Sequence, residues 1–218
     1  MDNEKAEKFL IEGLLELRFT PLSEHINAFL TYLSEIKKWN KVYNLTGIQK
    51  DEDIVIKHFL DSLLYLKFIP DDRPIKIADV GSGAGFPGIP MKIMDPGIEM
   101  YLIEASGKKA AFLQHVINLL GLQKIKVIEK RVEDVEIGKD MFLVDIAVTR
   151  ALFSIKKFIK KATPLVRPGG NLIVSKGPKV KDELKTLKYS EFQVTTIKLP
   201  LTHIKRYIVS ITASNMNP

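Results

Sequence analysis

The stretch that decides the fold is Asp79-Val80-Gly81-Ser82-Gly83-Ala84-Gly85-Phe86-Pro87-Gly88. It follows a short apolar run and precedes a segment with helical spacing, which indicates a glycine loop between a strand and a helix. Glycine at positions such as Gly81 and Gly83 lets the backbone approach a ligand with no Cβ in the way. In open α/β sheets, ligands bind beyond the carboxyl ends of the strands, at loops of this kind.

Strands alternate with helices beyond this loop. The predicted strands occupy residues 75–80, 100–104, 125–129, 143–148 and 171–175, with two closing strands at 192–199 and 206–212. A tight turn, Arg167-Pro168-Gly169-Gly170, is expected just before the fifth strand. The pattern predicts an α/β, Rossmann-like fold: a mostly parallel seven-stranded sheet with helices on both faces and an antiparallel hairpin at its edge.

The first seventy residues have helical periodicity instead. We expect residues 1–70 to form an N-terminal helical extension and residues 71–218 to form one compact domain. The second helix of the extension is predicted to start at Thr20-Pro21, with threonine as N-cap and proline at the first helical position. A third helix is predicted to start near Asp51, in an acidic first turn that suits the positive helix end.

Two carboxylates flank the glycine loop. Asp79 precedes it, and Glu104 ends the second predicted strand. A carboxylate at that strand end can accept hydrogen bonds from both ribose hydroxyls of an adenosine. The pair suits S-adenosylmethionine, which carries a sulfonium and an amino group and has no pyrophosphate. The structural alternatives are a loop-capping carboxylate for Asp79 and an exposed strand end for Glu104.

The ends of the third and fourth strands agree with this interpretation. Backbone N–H groups at Val132 and Glu133 could bind an adenine edge, or this segment could be an ordinary connecting loop. Thr149-Arg150-Ala151 ends the fourth strand, where a methyl acceptor usually lies. The Arg167–Gly170 turn is common among class I methyltransferases.

Composition excludes several classes of site. The chain has 218 residues and no cysteine, so disulfides, thiolate metal sites and cysteine nucleophiles are excluded. Its four histidines lie far apart, so no metal site is expected. No apolar stretch has the length of a membrane span, and residues 1–10 lack the apolar core of a signal peptide. We therefore expect a soluble cytoplasmic protein that acts as a monomer.

The charge is unevenly distributed. The chain carries a net charge of +7, and residues 141–218 alone hold 14 basic and 4 acidic residues, a net charge of +10. A one-sided basic surface favours a polyanion such as nucleic acid, although a solvated lysine-rich face is the simpler alternative.

These residues together resemble the RsmG (GidB) family, bacterial methyltransferases that modify a guanine N7 in 16S ribosomal RNA. The resemblance runs from about Trp39 to Gly177. It is carried by the following motifs: Lys38-Trp39-Asn40, Tyr43-Asn44-Leu45-Thr46, Lys57-His58, Leu60-Asp61-Ser62, the glycine loop through Pro90, Arg131-Val132-Glu133, Arg150-Ala151 and Lys176-Gly177. The chain has Val132 where alanine is frequent and Glu104 where aspartate is frequent.

The resemblance implies a class I methyltransferase that uses S-adenosylmethionine and acts on 16S rRNA or the small ribosomal subunit. It implies cofactor contacts at Gly81, Phe86, Val132, Glu133 and Arg150. Guanine N7 has an in-plane lone pair and no proton, so we expect no general base and no catalytic residue, only positioning. A class I methyltransferase of proteins or small molecules and a non-catalytic RNA-binding module are the alternatives.

Several side chains have two interpretations. Arg150 could serve the cofactor, guanine O6 or a phosphate, or form a salt bridge with a neighbouring carboxylate. Trp39 could stack on a base but is more often a helix anchor. His58, on an apolar helix face, is more often a satisfied core histidine than an RNA contact. Asn44 is expected in a turn that faces the cofactor mouth, and the roles of Asp61 and Ser62 stay open.

For RNA docking we expect a stretch just after the fifth strand, with Lys176, Lys179 and Lys181. The helix before the fifth strand also carries lysines. Because helices flank the sheet, some of these side chains must point to bulk water, and we predict that they form a solubilising face. They are Lys156, Lys157, Lys160 and Lys161. The alternative RNA surface is the N-terminal helices near Lys37, Lys38 and Lys41.

Overall fold

The seven strands form one sheet. The protein is represented by a computed structural model that describes residues 2–71, 74–150, 152–185 and 192–213. The strands of these residues are β1 (Lys76–Val80), β2 (Glu99–Ile103), β3 (Ile125–Ile128), β4 (Val144–Arg150), β5 (Val166–Lys176), β6 (Phe192–Lys198) and β7 (Lys205–Thr212). Their order is β3-β2-β1-β4-β5-β7-β6. Strands β1 to β5 run parallel, and β7 pairs antiparallel with both β5 and β6, as the sequence predicts.

The chain before the sheet is helical. It forms α1 (Asp2–Glu16), α2 (Ser23–Tyr43) and a continuous helical segment that comprises α3 (Asp51–Ile54), a π-helical stretch (Val55–Leu60), α4 (Asp61–Leu63) and a 3₁₀ stretch (Leu64–Phe68). The predicted start at Asp51 is confirmed, whereas the predicted start of α2 at Thr20-Pro21 is wrong. The amide of Leu22 donates to the carbonyl of Thr20, so Pro21 lies in a tight turn. The N-cap position is Leu22, which has extended backbone and no side-chain cap.

Four helices follow the strands: α5 (Gly88–Met94), α6 (Gly107–Leu119), α7 (Ile155–Ala162) and α8 (Val180–Lys185). On one face of the sheet, α5 and α6 share a continuous apolar core with the N-terminal helices, in which Phe29, Phe59 and Phe112 are fully buried. On the other face, a second core lies under α7 and α8, around Phe158 and Val209. Because the N-terminal helices and the sheet bury the same core, they pack as layers of one structure.

The connection between β3 and β4 contains little regular structure. It consists of a 3₁₀ turn, Val132–Asp134, and an isolated bridge between Ile137 and Met141. The sheet face beside β3 is therefore covered by a loop. By contrast, the connections after β4 and β5 contain the helices α7 and α8. Ile137 in this loop remains 42% exposed.

The start of β5 differs from the sequence prediction. The strand was expected at residue 171, after a turn at Arg167–Gly170, but it begins at Val166. Val144 pairs with Val166, and the next pair joins Ile146 to Asn171, so the four intervening residues form a bulge within the strand. An ion pair between Arg167 and Asp145 holds this bulge against β4. The residues typical of a turn are present, but they form a bulge between paired residues of β4 and β5.

No helix among the described residues is long and apolar enough to cross a membrane. In the same ranges, histidine and carboxylate side chains form no cluster of three or more that could hold a metal ion.

Candidate cofactor cleft

The glycine loop is tied to the neighbouring strand. The amides of Gly81 and Ser82 donate to the carbonyl of Ile103, at 2.8 Å and 3.1 Å, so the loop sits over the carboxyl end of β2. Gly81 and Gly83 have φ values of +75° and +60°, in the left-handed region. Side-chain-bearing residues rarely adopt this region, which explains why the sequence has glycine at both positions.

Gly81 also lies against a side chain from the fourth strand's loop. A Cβ built on Gly81 would overlap Leu152, which follows β4 and is 52% exposed. The loop after β4 therefore approaches the loop after β1 at the point where the sequence predicts the methyl acceptor. A larger residue at Gly81 would displace the Leu152 side chain.

Asp79 is fully buried behind the glycine loop. Its Oδ2 accepts a 2.9 Å hydrogen bond from the amide of Gly88, the first residue of α5. Its Oδ1 is buried and has no hydrogen-bond partner among the described residues. Burial raises the pKa of Asp79 from 3.8 to about 7, against the lowering effects of the Gly88 amide and Arg150. The capping interpretation therefore applies to one oxygen, and the second is left free for a donor or a cation.

Glu104 follows β2 and joins two backbone segments. Its Oε2 accepts a 2.8 Å hydrogen bond from the amide of Gly83, and its Oε1 accepts one of 2.9 Å from the amide of Ser106. Each carboxylate oxygen has a second lone pair. Glu104 can thus fix the glycine loop and still accept hydrogen bonds from a ligand diol.

A cleft of about 380 Å³ opens at these carboxyl ends. Five of the sequence-predicted cofactor residues line it: Gly81, Gly83, Glu104, Val132 and Glu133. The far wall is the 3₁₀ turn after β3, and the near wall is the segment after β4. An ion pair between Glu133 and Lys161 of α7 joins the two walls. The cleft is therefore a pocket that ends of β1, β2, β3 and β4 build together.

Phe86 and Arg150, which the resemblance implies as cofactor contacts, lie outside the residues that line this cleft. Phe86 is 5% exposed and stacks on His58, with ring centroids 4.5 Å apart. The guanidinium carbon of Arg150 lies 4.8 Å from the Phe86 ring centroid. Phe86, His58 and Arg150 form a stacked cluster beneath the glycine loop. His58 brings the N-terminal helical segment into contact with the loop there.

Arg150 is held by several partners. Its guanidinium donates to the carbonyl of Lys57 at 3.0 Å and to His58 Nδ1 at 2.8 Å, and lies 3.5 Å from a carboxylate oxygen of Asp61. Asp61 is 3% exposed and also accepts a 2.7 Å hydrogen bond from Arg206 of β7. The salt-bridge interpretation of Arg150 is thus realised, and the partner that sequence alone left undecided is Asp61.

The protonation of His58 follows from these contacts. An arginine can only donate, so Nδ1 of His58 accepts, and its Nε2–H donates to the hydroxyl of Thr46 at 2.7 Å. Burial and the charge of Arg150 lower the pKa of His58 to about 3. His58 is therefore a neutral histidine with both nitrogens engaged, which fits the interpretation of a satisfied core histidine.

Two buried tyrosines from the N-terminal helices contact the site, and sequence reasoning did not identify them. The hydroxyl of Tyr32 donates to the carbonyl of Ala84 in the glycine loop. The hydroxyl of Tyr65 lies between β4 and β5, bonded to the backbone of Thr149 and Ser175. The sequence signal that could have identified them is a tyrosine on the apolar face of a helix, because a buried hydroxyl needs a hydrogen-bond partner.

Other predicted residues have structural surroundings. Trp39 packs against Phe112 and His115, with centroids 5.4 Å and 5.3 Å away, as expected for a helix anchor. Asn44 is the C-cap of α2 with φ of 49°, and it is outside the residues that line the cleft.

The lysines predicted to bind RNA are not equivalent. Lys176 is 12% exposed and forms a 3.1 Å ion pair with Glu183, so its charge is already neutralised inside the fold. This arrangement contradicts a free phosphate-binding role for Lys176, because a phosphate would have to displace Glu183. Lys179 and Lys181 are exposed.

Comparison with known proteins identifies a family model and relatives that are similar to most of this chain. Residues 25–209 match the model of the GidB family, described as rRNA small subunit methyltransferase G. A protein named ribosomal RNA small subunit methyltransferase G from Thermoanaerobacter sp. (strain X514) is 38% identical over 217 residues, which cover 95% of this chain and 90% of the relative. One of the same name from Caldanaerobacter subterraneus subsp. tengcongensis is 36% identical, with coverage of 99% and 93%.

The fold is also found among solved structures. A SAM dependent methyltransferase from Aquifex aeolicus superimposes with a TM-score of 0.55 and 18% identity, covering 83% of this chain and 98% of that one. This likeness shows the fold that the glycine loop and the alternation of strands and helices predict.

Proposed function

The chain belongs to the rRNA small subunit methyltransferase G family, and from that premise we propose that it transfers a methyl group from S-adenosylmethionine to N7 of a guanine in 16S ribosomal RNA. It is a methyltransferase with the sheet of the class I enzymes. The observation that carries the proposal is the carboxylate of Glu104, placed at the cleft and bonded to the amide of Gly83 in the glycine loop.

The residues of the cleft fit this cofactor. Glu104 has acceptor capacity left for a ribose diol, and backbone amides of Val132 and Glu133 lie along the wall where an adenine edge would bind. Asp79 does not line the cleft; its buried carboxyl accepts a hydrogen bond from the amide of Gly88 behind the glycine loop. When bound, S-adenosylmethionine supplies an electrophilic methyl group on a positively charged sulfur.

The chemistry at guanine N7 asks for no proton transfer, because the attacking lone pair lies in the ring plane and carries no hydrogen. His58 stacks on Phe86 of the glycine loop, but Arg150 and Thr46 occupy both its nitrogens. We therefore assign no general base. The chain's contribution is to hold the guanine in line with the methyl group, with reacting atoms roughly 3–3.5 Å apart.

The fixed position of Arg150 supports this assignment. The purine gains positive charge as it is methylated, so a free cation beside N7 would oppose the reaction. Asp61, His58 and Phe86 hold the guanidinium beneath the loop, outside the residues that line the cleft. Leu152, whose side chain lies against Gly81, places an apolar group in the lining of the cleft on the acceptor side.

The proposal is tested with labelled cofactor and three acceptors: undermethylated small ribosomal subunits, naked 16S rRNA and total cell protein. We expect label in 16S rRNA, and a strand break at one guanine after borohydride reduction and aniline treatment, which cleave at N7-methylguanine. Label in protein, or labelled RNA that resists this cleavage, would contradict the assignment of substrate or atom.

A further inference from the structure

A second cleft, of about 600 Å³, lies beside the cofactor cleft. The two clefts share four lining residues, Val132, Glu133, Lys157 and Lys161. It occupies the place where the connection between β3 and β4 has only a 3₁₀ turn and a loop. This connection leaves a hollow that opens directly beside the cofactor cleft.

The walls of the second cleft differ in character. One wall and the floor are apolar, formed by Val135, Ile137 and Leu165, whereas the rim on the α7 side consists of lysines, including Lys160. The ammonium groups of Lys157 and Lys161 lie 5.8 Å and 5.5 Å from the ring centroid of Phe153. Phe153 itself lines the cofactor cleft, so the lysine rim continues from one cleft to the other.

The charges of this rim are largely uncompensated. Lys161 pairs with Glu133, but the other two rim lysines, Lys157 and Lys160, form no ion pair with any residue in the described ranges. Three other lysines considered for RNA binding are paired: Lys37 with Asp51, Lys38 with Glu35 and Lys176 with Glu183. What distinguishes Lys157 and Lys160 from the exposed Lys179 and Lys181 is that they line the second cleft. Helix α7 therefore presents free positive charge on the side that borders both clefts.

We propose that the second cleft binds the single-stranded RNA that flanks the target guanine, with phosphates on Lys157 and Lys160 and a base against the apolar floor. This proposal rests on the proposed function. Ammonium groups match phosphates, and an apolar floor matches the face of an unstacked base. A cleft of this volume lies in the range that small ligands fill. The α7 lysines, which the sequence suggests are a solubilising face, become the RNA contact.

The occupant is assigned as RNA on two grounds. The rim presents three ammonium groups, and its one carboxylate, Glu133, is already paired, which fits a ligand with regularly spaced negative charges. The cleft also opens onto the cofactor cleft, so a strand that places a guanine there must leave along one of the adjacent surfaces. A ribosomal protein would meet the same lysines only if it were acidic and bound beside the cofactor.

The test compares two variants that remove equal charge. Lys157→Ala/Lys160→Ala changes the proposed rim, and Lys179→Ala/Lys181→Ala changes the exposed stretch after β5. Binding to naked, undermethylated 16S rRNA is measured without cofactor over a range of salt concentrations. For single strands each phosphate contact contributes about 0.7 to the log–log salt slope. We expect the rim variant to lose about one to one and a half units of slope and at least about tenfold in affinity at low salt. The same losses in Lys179→Ala/Lys181→Ala, with wild-type values in the rim variant, would place the RNA on the stretch after β5 instead.

A second pair tests the floor. Ile137→Glu places a carboxylate in the cleft, whereas Phe142→Glu makes the same change at a residue that is 62% exposed and outside the cleft. Ile137→Glu should weaken RNA binding and Phe142→Glu should not, with circular dichroism and thermal unfolding as checks that both are folded. Wild-type slope and affinity in the rim variant would overturn the proposal, as would losses seen with assembled subunits but not with naked RNA, which would identify a protein occupant. The proposed function fails separately, if the wild-type protein does not methylate 16S rRNA.

Discussion

The hydroxyl of Tyr65 donates a 2.6 Å hydrogen bond to the carbonyl of Thr149, and it accepts one of 3.0 Å from the amide of Ser175. Thr149 belongs to β4 and Ser175 to β5, so a side chain from the N-terminal helices bridges two strands of the sheet where their carboxyl ends approach the site. Tyr65 is fully buried, and burial raises its pKa, so the hydroxyl stays protonated and keeps its donor.

We expect Tyr65→Phe to lower the free energy of unfolding by about 1–3 kcal/mol, because it leaves a buried N–H and a buried C=O without their partner. Denaturant titration measures the change. Tyr43→Phe is the matched control, since Tyr43 is 41% exposed and its hydroxyl has no hydrogen bond to a described residue. Equal stability of the two variants would show that Tyr65 is not needed to join the strands.

Gly81→Val should abolish binding of S-adenosylmethionine. Valine at φ of +75° is strained, so the backbone of the glycine loop must change, and the valine side chain would also displace Leu152 in the cleft. Calorimetry measures the affinity. Gly47→Val, at a position with open space around the Cβ, should bind as the wild type does. Undiminished affinity in Gly81→Val would contradict the assignment of this loop.

Glu104→Ala should weaken cofactor binding by at least about tenfold. Each hydrogen bond to a charged group contributes roughly 1.5–3 kcal/mol, and the variant also releases the amides of Gly83 and Ser106. Glu104→Asp keeps a carboxylate and should retain most of the affinity. A cofactor-bound structure in which the ribose lies away from Glu104 would contradict this prediction.

Two buried groups should give opposite pH dependences of stability. The pKa of Asp79 is raised from 3.8 to about 7, so between these values the folded protein holds more protons and stability falls as pH rises. The pKa of His58 is lowered from 6.5 to about 3, so the unfolded chain holds more protons in that window and stability rises with pH. The two effects oppose each other where the windows overlap, between 3.8 and 6.5.

Asp79→Asn removes the first effect, so the stability of this variant should rise with pH more steeply than that of the wild type. The difference in slope should approach about 1.4 kcal/mol per pH unit, the value for one proton. Urea unfolding at several pH values from about 4.5 to 7 measures it. Parallel curves for the two proteins would mean that Asp79 is ionised throughout this range.

The sequence predicted the parts of the molecule that depend on local pattern. The alternation of apolar runs identified the sheet and its edge hairpin, and glycine spacing identified the loop that lines the cleft. Glu104 was found because a strand end fixes its position relative to that loop. The start of α2 was mispredicted because Thr20-Pro21 is equally compatible with a turn and with a helix start.

The contacts that sequence could not give join residues far apart in the chain. Tyr65 and Thr149 are separated by 84 residues, and His58 and Arg150 by 92. Whether Lys176 and Lys161 are paired depends on where Glu183 and Glu133 lie, and no periodicity contains that information. The second cleft lies where a loop joins β3 to β4, and its shape depends on the packing of α7.

The ion pair between Asp61 and Arg206 has a consequence for synthesis of the protein. These residues are 145 positions apart, and the amide of Leu201 bonds to Glu16 across 185 positions. The helices before the sheet are translated earlier than β7 and therefore lack these partners until β7 has followed. Arg150 shares Asp61 with Arg206, so the support beneath the glycine loop is completed only after β7 has been translated.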